Sequence, residues 1–517
     1  MKKSVGSALL PLLVLLTLFR PLPLRATTRY VDVNSATPTT PYTNWSTAAT
    51  NIQDAVDAAV PGDQILVTSG VYRTGGLGIQ DGYGNELTNR VAITNPVTVM
   101  SINGPGVTAI EGYQVPSTKN GDAAVRCVYL VNGCTLMGFT LTSGATGGSH
   151  DVDGGGVWCE SSSVLVSNCV LIANSAAGAG GGAYSGTLMH CLIASNSSWF
   201  MGGGVGWESI LKDCLLVGNS VRAPGSGGGA TFSTLTNCTL IWNTASDAGG
   251  AEHCYLYNCM ILSNSASHAG GAWHSTLNSC TVVGNTADRD GGFDDCGLNN
   301  SIVYFNAATY NRNYDQDQVL FSDSVCTIPL PYGGSGHFTN APLFVDLAGG
   351  NLRLQSNSPC INAGNNANLM APSDLDGRSR ISGGTVDIGA YEYQGPGTGE
   401  FFGWLEKFGL RTDGSADSMD ADFDGLNNWQ EWKADTIPTN TLSVFKTVVV
   451  SNATPGLNIA WQSVASRSYF IERATNLAAA PPFALLATNL AGLAGMTTFT
   501  DTNAVGSGPF FYRVGVQ

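Results

Sequence analysis

The sequence predicts an all-β chain: a long parallel β-helix with a cap helix at its start, followed by a small C-terminal β-sandwich. This prediction rests on three observations. A unit of just over 20 residues recurs through the middle of the chain. Each unit consists of short strand-like bursts, such as "AEHCYLYNCMILSN", broken by Asn, Ser and Gly, with no helical period between them. Beyond a Gly/Pro stretch near residue 395 the composition changes to helical and then to longer alternating segments.

Met1-Lys2-Lys3 followed by the apolar run Ala8–Phe19 reads as a secretory signal peptide over 1–26, cleaved after Ala26. The run is too short to span a bilayer, and no second apolar segment of spanning length follows. The mature chain is therefore expected to be exported, secreted or at the outer surface of a bacterial-type cell, without a transmembrane segment. The formal net charge is −15, and losing the leader cations Lys2, Lys3, Arg20 and Arg25 takes it to −19. That excludes nucleic acid and anionic lipid as natural partners. Only 12% of residues are charged and 65 are glycine, yet 43% are apolar and clustered in short runs, which gives a core to bury.

The repeat sets the register. Cys169, Cys191, Cys214, Cys238, Cys259 and Cys280 are separated by 22, 23, 24, 21 and 21 residues. Asn174, Asn196, Asn219, Asn243, Asn264 and Asn285 each follow five residues later, and a seventh unit has Ser301 and Asn306 in the two slots. Gly-Gly pairs follow at 180–181, 249–250, 270–271 and 291–292, with slightly later glycine runs at 202–204 and 227–229. A leucine-rich repeat has a similar period but needs an L-x-x-L-x-L frame, which is absent. In a parallel β-helix, residues one repeat apart stack about 4.8 Å apart. The cysteines are then an inward column of small hydrophobes, too far apart for disulfides, and one thiol per coil makes a line rather than a tetrahedral metal site. The asparagines can form an amide ladder. The Gly-Gly pair fits a corner with unusual backbone angles or close backbone approach.

"GGGAYSGTLMHCLIASNSS" and its sister units resemble right-handed parallel β-helix proteins of the pectate-lyase-like superfamily and the repeats of polymorphic outer-membrane proteins. The opening Tyr30–Arg73 is similar to the start of such helices, which implies a cap helix near Ile52–Ala59. "SPCINAGNNANLMAPSDLDGRSRISGGTVDIGAYEY", 358–393, resembles the choice-of-anchor Q domain. The resemblances imply a β-helix over 27–395, export and monomeric state, but no particular activity.

With the register set, the first residue after Gly-Gly (Ala183, Val205, Ala230, Ala251, Ala272, Phe293) should point inward. The second (Tyr184, Gly206, Thr231, Glu252, Trp273, Asp294) and third (Ser185, Trp207, Phe232, His253, His274, Asp295) should form outer columns. Trp158 belongs to an earlier coil, after a loop holding His150, Asp151 and Asp153. Glu252, His253, His274, Asp294 and Asp295 are thus the catalytic candidates, since carboxylates and imidazoles serve as general acid and base. Trp158, Tyr184, Trp207 and Trp273 are candidate platforms for sugar rings. Family lyases use Arg or Lys against a uronate, and only Lys212 and Arg289 come near by column. The favoured role is therefore non-catalytic adhesion to a polysaccharide or cell-surface glycan. The alternative is a polysaccharide lyase or glycoside hydrolase acting along this face.

After the linker, "FFGWLEKFGL" (401–410) is amphipathic and helical. "DADFDGLNNWQE" matches D-x-D-x-D-G-x₅-E, the alternating-oxygen spacing of a Ca²⁺ loop. Its ligands are Asp420, Asp422, Asp424, Leu426 through its carbonyl, Asn428 and Glu431. The loop resembles EF-hand, dockerin and thrombospondin type 3 loops, and structural Ca²⁺ is expected in a segment spanning 396–440. Residues 441–517 alternate short strands and polar turns, similar to a fibronectin type III sandwich.

Overall fold

The computed structural model describes residues 26–80, 86–148, 152–355, 357–382, 384–394, 398–410, 416, 419–453, 455–476, 483–505 and 508–517. The expected leader lies outside these except for Ala26, as do His150, Asp151 and linker residues 395–397.

The repeats form a parallel β-helix with three strands per coil. The first stack holds Ile210–Lys212, Thr234–Thr236, Tyr255–Tyr257 and Thr276–Asn278, paired parallel and in register. The second holds Leu215–Val217, Thr239–Ile241, Met260–Leu262 and Thr281–Val283. Cys296–Tyr304 and Val319–Thr327 run through both, so among the described residues these stacks merge into one 21-stranded sheet. The third is a 10-stranded sheet carrying Ala183–Tyr184, Val205–Gly206, Ala230–Thr231, Ala251–Glu252, Ala272–Trp273 and Phe293–Asp294. Alternation puts one residue of each short strand inside. Leu211, Leu235, Leu256, Leu277 and Leu298 stack as a buried column from the first sheet face, and Ala230, Ala251, Ala272 and Phe293 do so from the third.

Three corners per coil share one grammar: a residue in the left-handed region, then a small or amide residue facing in. Asn237, Asn258 and Ser279 (φ 54°, 52° and 54°) precede Cys238, Cys259 and Cys280. Trp242, Ser263 and Gly284 (φ 56°, 50° and 70°) precede Asn243, Asn264 and Asn285. His253, His274 and Asp295 (φ 50°, 48° and 49°) precede Cys254, Ser275 and Cys296, a second small-residue column that the sequence reading did not separate from the first. Such angles are uncommon outside glycine and are held here by the hydrogen bonds of the coils above and below. All thirteen cysteines are free and buried.

The asparagine ladder is continuous. Asn174, Asn196, Asn219, Asn243, Asn264, Asn285 and Asn306 each donate from Nδ2 to the Oδ1 of the next amide, at 2.9–3.1 Å, ending on Asn313. The Gly-Gly pair is required by close approach rather than by backbone angle. A Cβ at Gly250 would stand 2.4 Å from the carbonyl oxygen of Gly271, and one at Gly271 would stand 2.3 Å from that of Gly292.

The N-terminal end is closed by the helix Ile52–Asp57, capped by Asn51, with Ile52, Ala55 and Val56 buried. Gln53 substitutes for a strand: its Oε1 accepts from Ala92 N at 2.7 Å and its Nε2 donates to Ala92 O at 3.1 Å. The last parallel strand ends at Thr327; Ser335 and Phe338 still bridge in parallel to Asp323 and Cys326, and residues 339–394 do not continue the coil. They fold back on the outer side of the last coils. Phe344, Leu352, Leu354, Ile388 and Ala390 pack on Met260, Val283 and Ile302, and Ala390 N donates to Thr281 Oγ1 at 3.0 Å.

Helices Thr398–Lys407 and Asn428–Ala434 flank the acidic loop, with Phe401, Leu405 and Ala416 buried against Trp404, Trp429 and Trp432. The first begins three residues before the expected 401. The C-terminal segment forms two three-stranded antiparallel sheets enclosing Ile459, Trp461, Tyr469 and Ile471. Its strands Ala484–Ala491, Ala- and Leu-rich and largely exposed, and Gly495–Asp501, Thr-rich, were not marked by the sequence pattern. Among the described residues, no helix is long and apolar enough to cross a membrane.

Candidate functional site

The third strand of each coil and the corner after it build the candidate site. The corner column stacks as a ladder of rings: Trp207 to Phe232 at 5.0 Å, Phe232 to His253 at 4.7 Å, and His253 to His274 at 4.9 Å between centroids. The left-handed backbone at each of these residues turns the side chain out of the coil, and the parallel register sets the ring spacing. His274 Nδ1 lies 3.4 Å from Asp295 Oδ2, which ends the ladder in a carboxylate. Trp207 and His253 are exposed, and Phe232 and His274 are half-buried. Beside the rings runs an open groove of about 520 Å³ lined by Glu208, Ser233, Thr234, Tyr255 and Thr276 together with Phe232, His253 and His274.

A second ladder lies along the strand column. Trp158 stacks on Tyr129 at 4.7 Å and nearly parallel, with Tyr184 beyond at 6.4 Å. Trp158, Tyr184 and Trp273 share the strand column, and Trp207 belongs to the corner column.

Glu252 and Asp294 differ from expectation. They are not on an open outer column but are buried, at 7% and 8% exposure. The loop between the Asn and Gly-Gly slots forms its own column, Ser226, Asp247, His268 and Arg289, which lies over them. Ser226 Oγ donates to Glu252 Oε2 at 2.5 Å. His268 Nε2 lies 2.9 Å from Asp294 Oδ2 and 3.5 Å from Asp290 Oδ2, and its Nδ1 lies 3.6 Å from Asp247 Oδ1. Hydrogen bonds from the imidazole to Asp290 and Asp294 push the His268 pKa up to about 9. Asp294 and Asp295 are adjacent in sequence but serve opposite sides, one facing His268 and the other His274. His268, Asp290 and Asp247 were missed because the loop slot varies in length between early coils. Only the 21-residue spacing of Asp247, His268 and Arg289 marks them.

In the acidic loop the donor oxygens of Asp420, Asp422 and Asp424 lie within 4.8 Å of one another. Gly425 takes φ +98°, and its N–H donates to Asp420 Oδ2 at 2.9 Å. Asp422 Oδ2, Asp424 Oδ2, Glu431 Oε2 and Asn428 Oδ1 are buried without a hydrogen-bond partner. Burial, with repulsion from Asp422 and Asp424, pushes the Glu431 carboxyl up to about 7. Orphaned acidic oxygens around a sharp glycine turn fit a hard divalent cation. Asn428 opens the second helix, and its Nδ2 donates to Ala416 O at 2.6 Å.

No family model matches the sequence, and no curated protein matches it. Among solved structures, the chain is similar to the pectate lyase Pel9A, at 14% identity over 71% of this chain and 96% of that one, TM-score 0.44. It is also similar to a GH136 lacto-N-biosidase from Eubacterium ramulus, at 10% identity over 57% and 68%, TM-score 0.34. A rhamnogalacturonan lyase matches at 12% identity over 69% and 89%, TM-score 0.26. Likeness at this level says nothing of activity or site residues, and the parallel β-helix is established by the strand register itself.

Proposed function

We propose that this is an exported β-helix protein that binds a linear polysaccharide or cell-surface glycan along its third face without cleaving it. One observation carries the reading: the rings of Trp207, Phe232, His253 and His274 form a continuous, partly exposed ladder beside a groove rich in hydroxyls. Aromatic faces take the apolar side of a pyranose, while Ser233, Thr234 and Thr276 can exchange hydrogen bonds with its hydroxyls. An open groove suits a chain longer than the site.

The second reading, a glycan-cleaving enzyme, is favoured by a separate observation: His268 is held against Asp294 and Asp290 near the ladder, a pairing suited to acid–base work. A polysaccharide panel separates the two. Binding without new reducing ends and without unsaturated, ultraviolet-absorbing products supports the binding reading. Product from any polymer, lost in His268→Gln, overturns it.

The calcium loop belongs to the same proposal: Asp420, Asp422, Asp424, Glu431, Asn428 and the Leu426 carbonyl hold structural Ca²⁺ between the β-helix and the sandwich. The choice-of-anchor Q resemblance of 358–393 would add attachment at the cell surface.

A further inference from the structure

A fourth position in each coil, the residue before the last two glycines of the run, also takes a left-handed backbone, with φ between 51° and 68°. In successive coils it is Gly180, Gly202, Gly227, Ala248, Ala269 and then Asp290. Ala248 and Ala269 are fully buried, so the slot is enclosed and the preceding coils fill it with a methyl group or nothing. Asp290 occupies the same enclosed slot at 0% exposure, where its Oδ2 faces His268 Nε2 at 3.5 Å and its Oδ1 has no hydrogen-bond partner among the described residues. Asp294 Oδ1 is likewise buried without a partner. An under-solvated carboxylate costs several kcal/mol, and the neighbouring coils show that alanine fits the slot. Departures of this kind from a repeat are expected at functional positions.

We propose that His268, Asp290 and Asp294 form a binding site for one transition-type divalent cation, with Zn²⁺ the natural probe. The donor spacing supports it. Two ligands each about 2.1 Å from a cation, at angles between octahedral and tetrahedral, stand roughly 3.0–3.4 Å apart. His268 Nε2 stands 2.9 Å and 3.5 Å from the two carboxylates. An imidazole with two carboxylates selects Zn²⁺ or its neighbours over Ca²⁺, which takes an all-oxygen shell. Asp247, 3.6 Å from His268 Nδ1, is placed as the outer carboxylate that orients a ligating imidazole. The edge of the Trp273 ring, 5.2 Å from the His268 ring, forms one wall. The His268 side chain is 22% exposed, so a further position stays open to water or to a ligand oxygen. The cation would hold together two coils beside the strand column. This inference is independent of whether a glycan binds there.

The test titrates ZnCl₂ alone, by calorimetry and by metal analysis after dialysis, into chelator-stripped full-length mature protein. The wild type is expected to retain one equivalent, and Asp290→Ala and His268→Gln none. Asp290→Ala restores the residue of the two preceding coils, so its metal-free melting should match or exceed that of the wild type. If it nevertheless unfolds early, Asp294→Asn gives the same reading. A tenfold excess of CaCl₂ should not displace the bound Zn²⁺. Wild-type protein that retains less than half an equivalent, an ion pair only, overturns the proposal. So does Zn²⁺ retained equally by wild type and both variants, as binding to the buried thiols would give.

Discussion

The amide of Asn264 shows how single residues hold the stack. Its Oδ1 accepts from both N and Nδ2 of Asn243 at 2.9 Å. Its Nδ2 donates to Leu240 O at 3.0 Å and to Asn285 Oδ1 at 2.9 Å. Every hydrogen-bonding position of the side chain is used, at 0% exposure. Asn264→Ala leaves several buried groups unpaired and should destabilise by roughly 2–4 kcal/mol, measured by urea unfolding. A loss under 1 kcal/mol would mean that water replaces the ladder. The thiols differ: they are small inner hydrophobes, and burial raises Cys127 and Cys254 to about 12. Native protein should therefore react with no thiol reagent, and denatured, unreduced protein should titrate thirteen thiols. Fewer than thirteen would reveal disulfides. Both columns could be read from the 21- to 24-residue spacing, because stacking converts a sequence period into contact. The buried Asp290 could not, because only the structure shows that its slot is enclosed.

At the scale of elements, two modules make separate predictions. The acidic loop and its helices were readable as a motif, since a cation dictates both residue type and spacing. Chelation should lower the melting of the C-terminal half and leave the β-helix transition unchanged. Indifference of both transitions would remove Ca²⁺ from the account. The fold-back segment 339–394 was not readable, because its contacts are to coils far away in sequence. Asn258 and Asn300, for example, donate from Nδ2 to the carbonyls of Ser373 and Asn365. That segment buries Asp387 and Glu392, and desolvation raises both carboxyls above their ordinary range; for Glu392 the nearby Asp387 adds to the effect. An acid with a raised folded pKa binds its proton more tightly folded than unfolded. The segment should therefore be most stable below the ordinary carboxylate range and weaken as pH rises through the interval up to the raised values. Melting temperatures across that interval should fall less steeply in Asp387→Asn than in the wild type. Equal slopes would remove Asp387 as the source.

At the scale of the molecule, the β-helix turns a repetitive chain into columns, and the columns that depart from the repeat carry the candidate chemistry. The scaffold columns (Leu, Cys, Asn and Gly-Gly) fix a rigid rod, and the ring ladder rides on one edge of it. The position of the ladder was legible once the register was known. The burial of Glu252 and Asp294 was not, because it depends on a loop column whose length changes between early coils. The measurement that bears most directly on this account is affinity electrophoresis through gels containing each polymer of a broad polysaccharide panel. It compares wild type with Trp207→Ala, His253→Ala and, as a control, Trp242→Ala. Trp242 is 62% exposed but belongs to a different corner column, outside the ladder. The account predicts that at least one polymer retards the wild type, that each ladder variant loses tenfold or more in affinity, and that Trp242→Ala binds as the wild type does. No retardation by any polymer, or equal losses in the ladder and control variants, would contradict it.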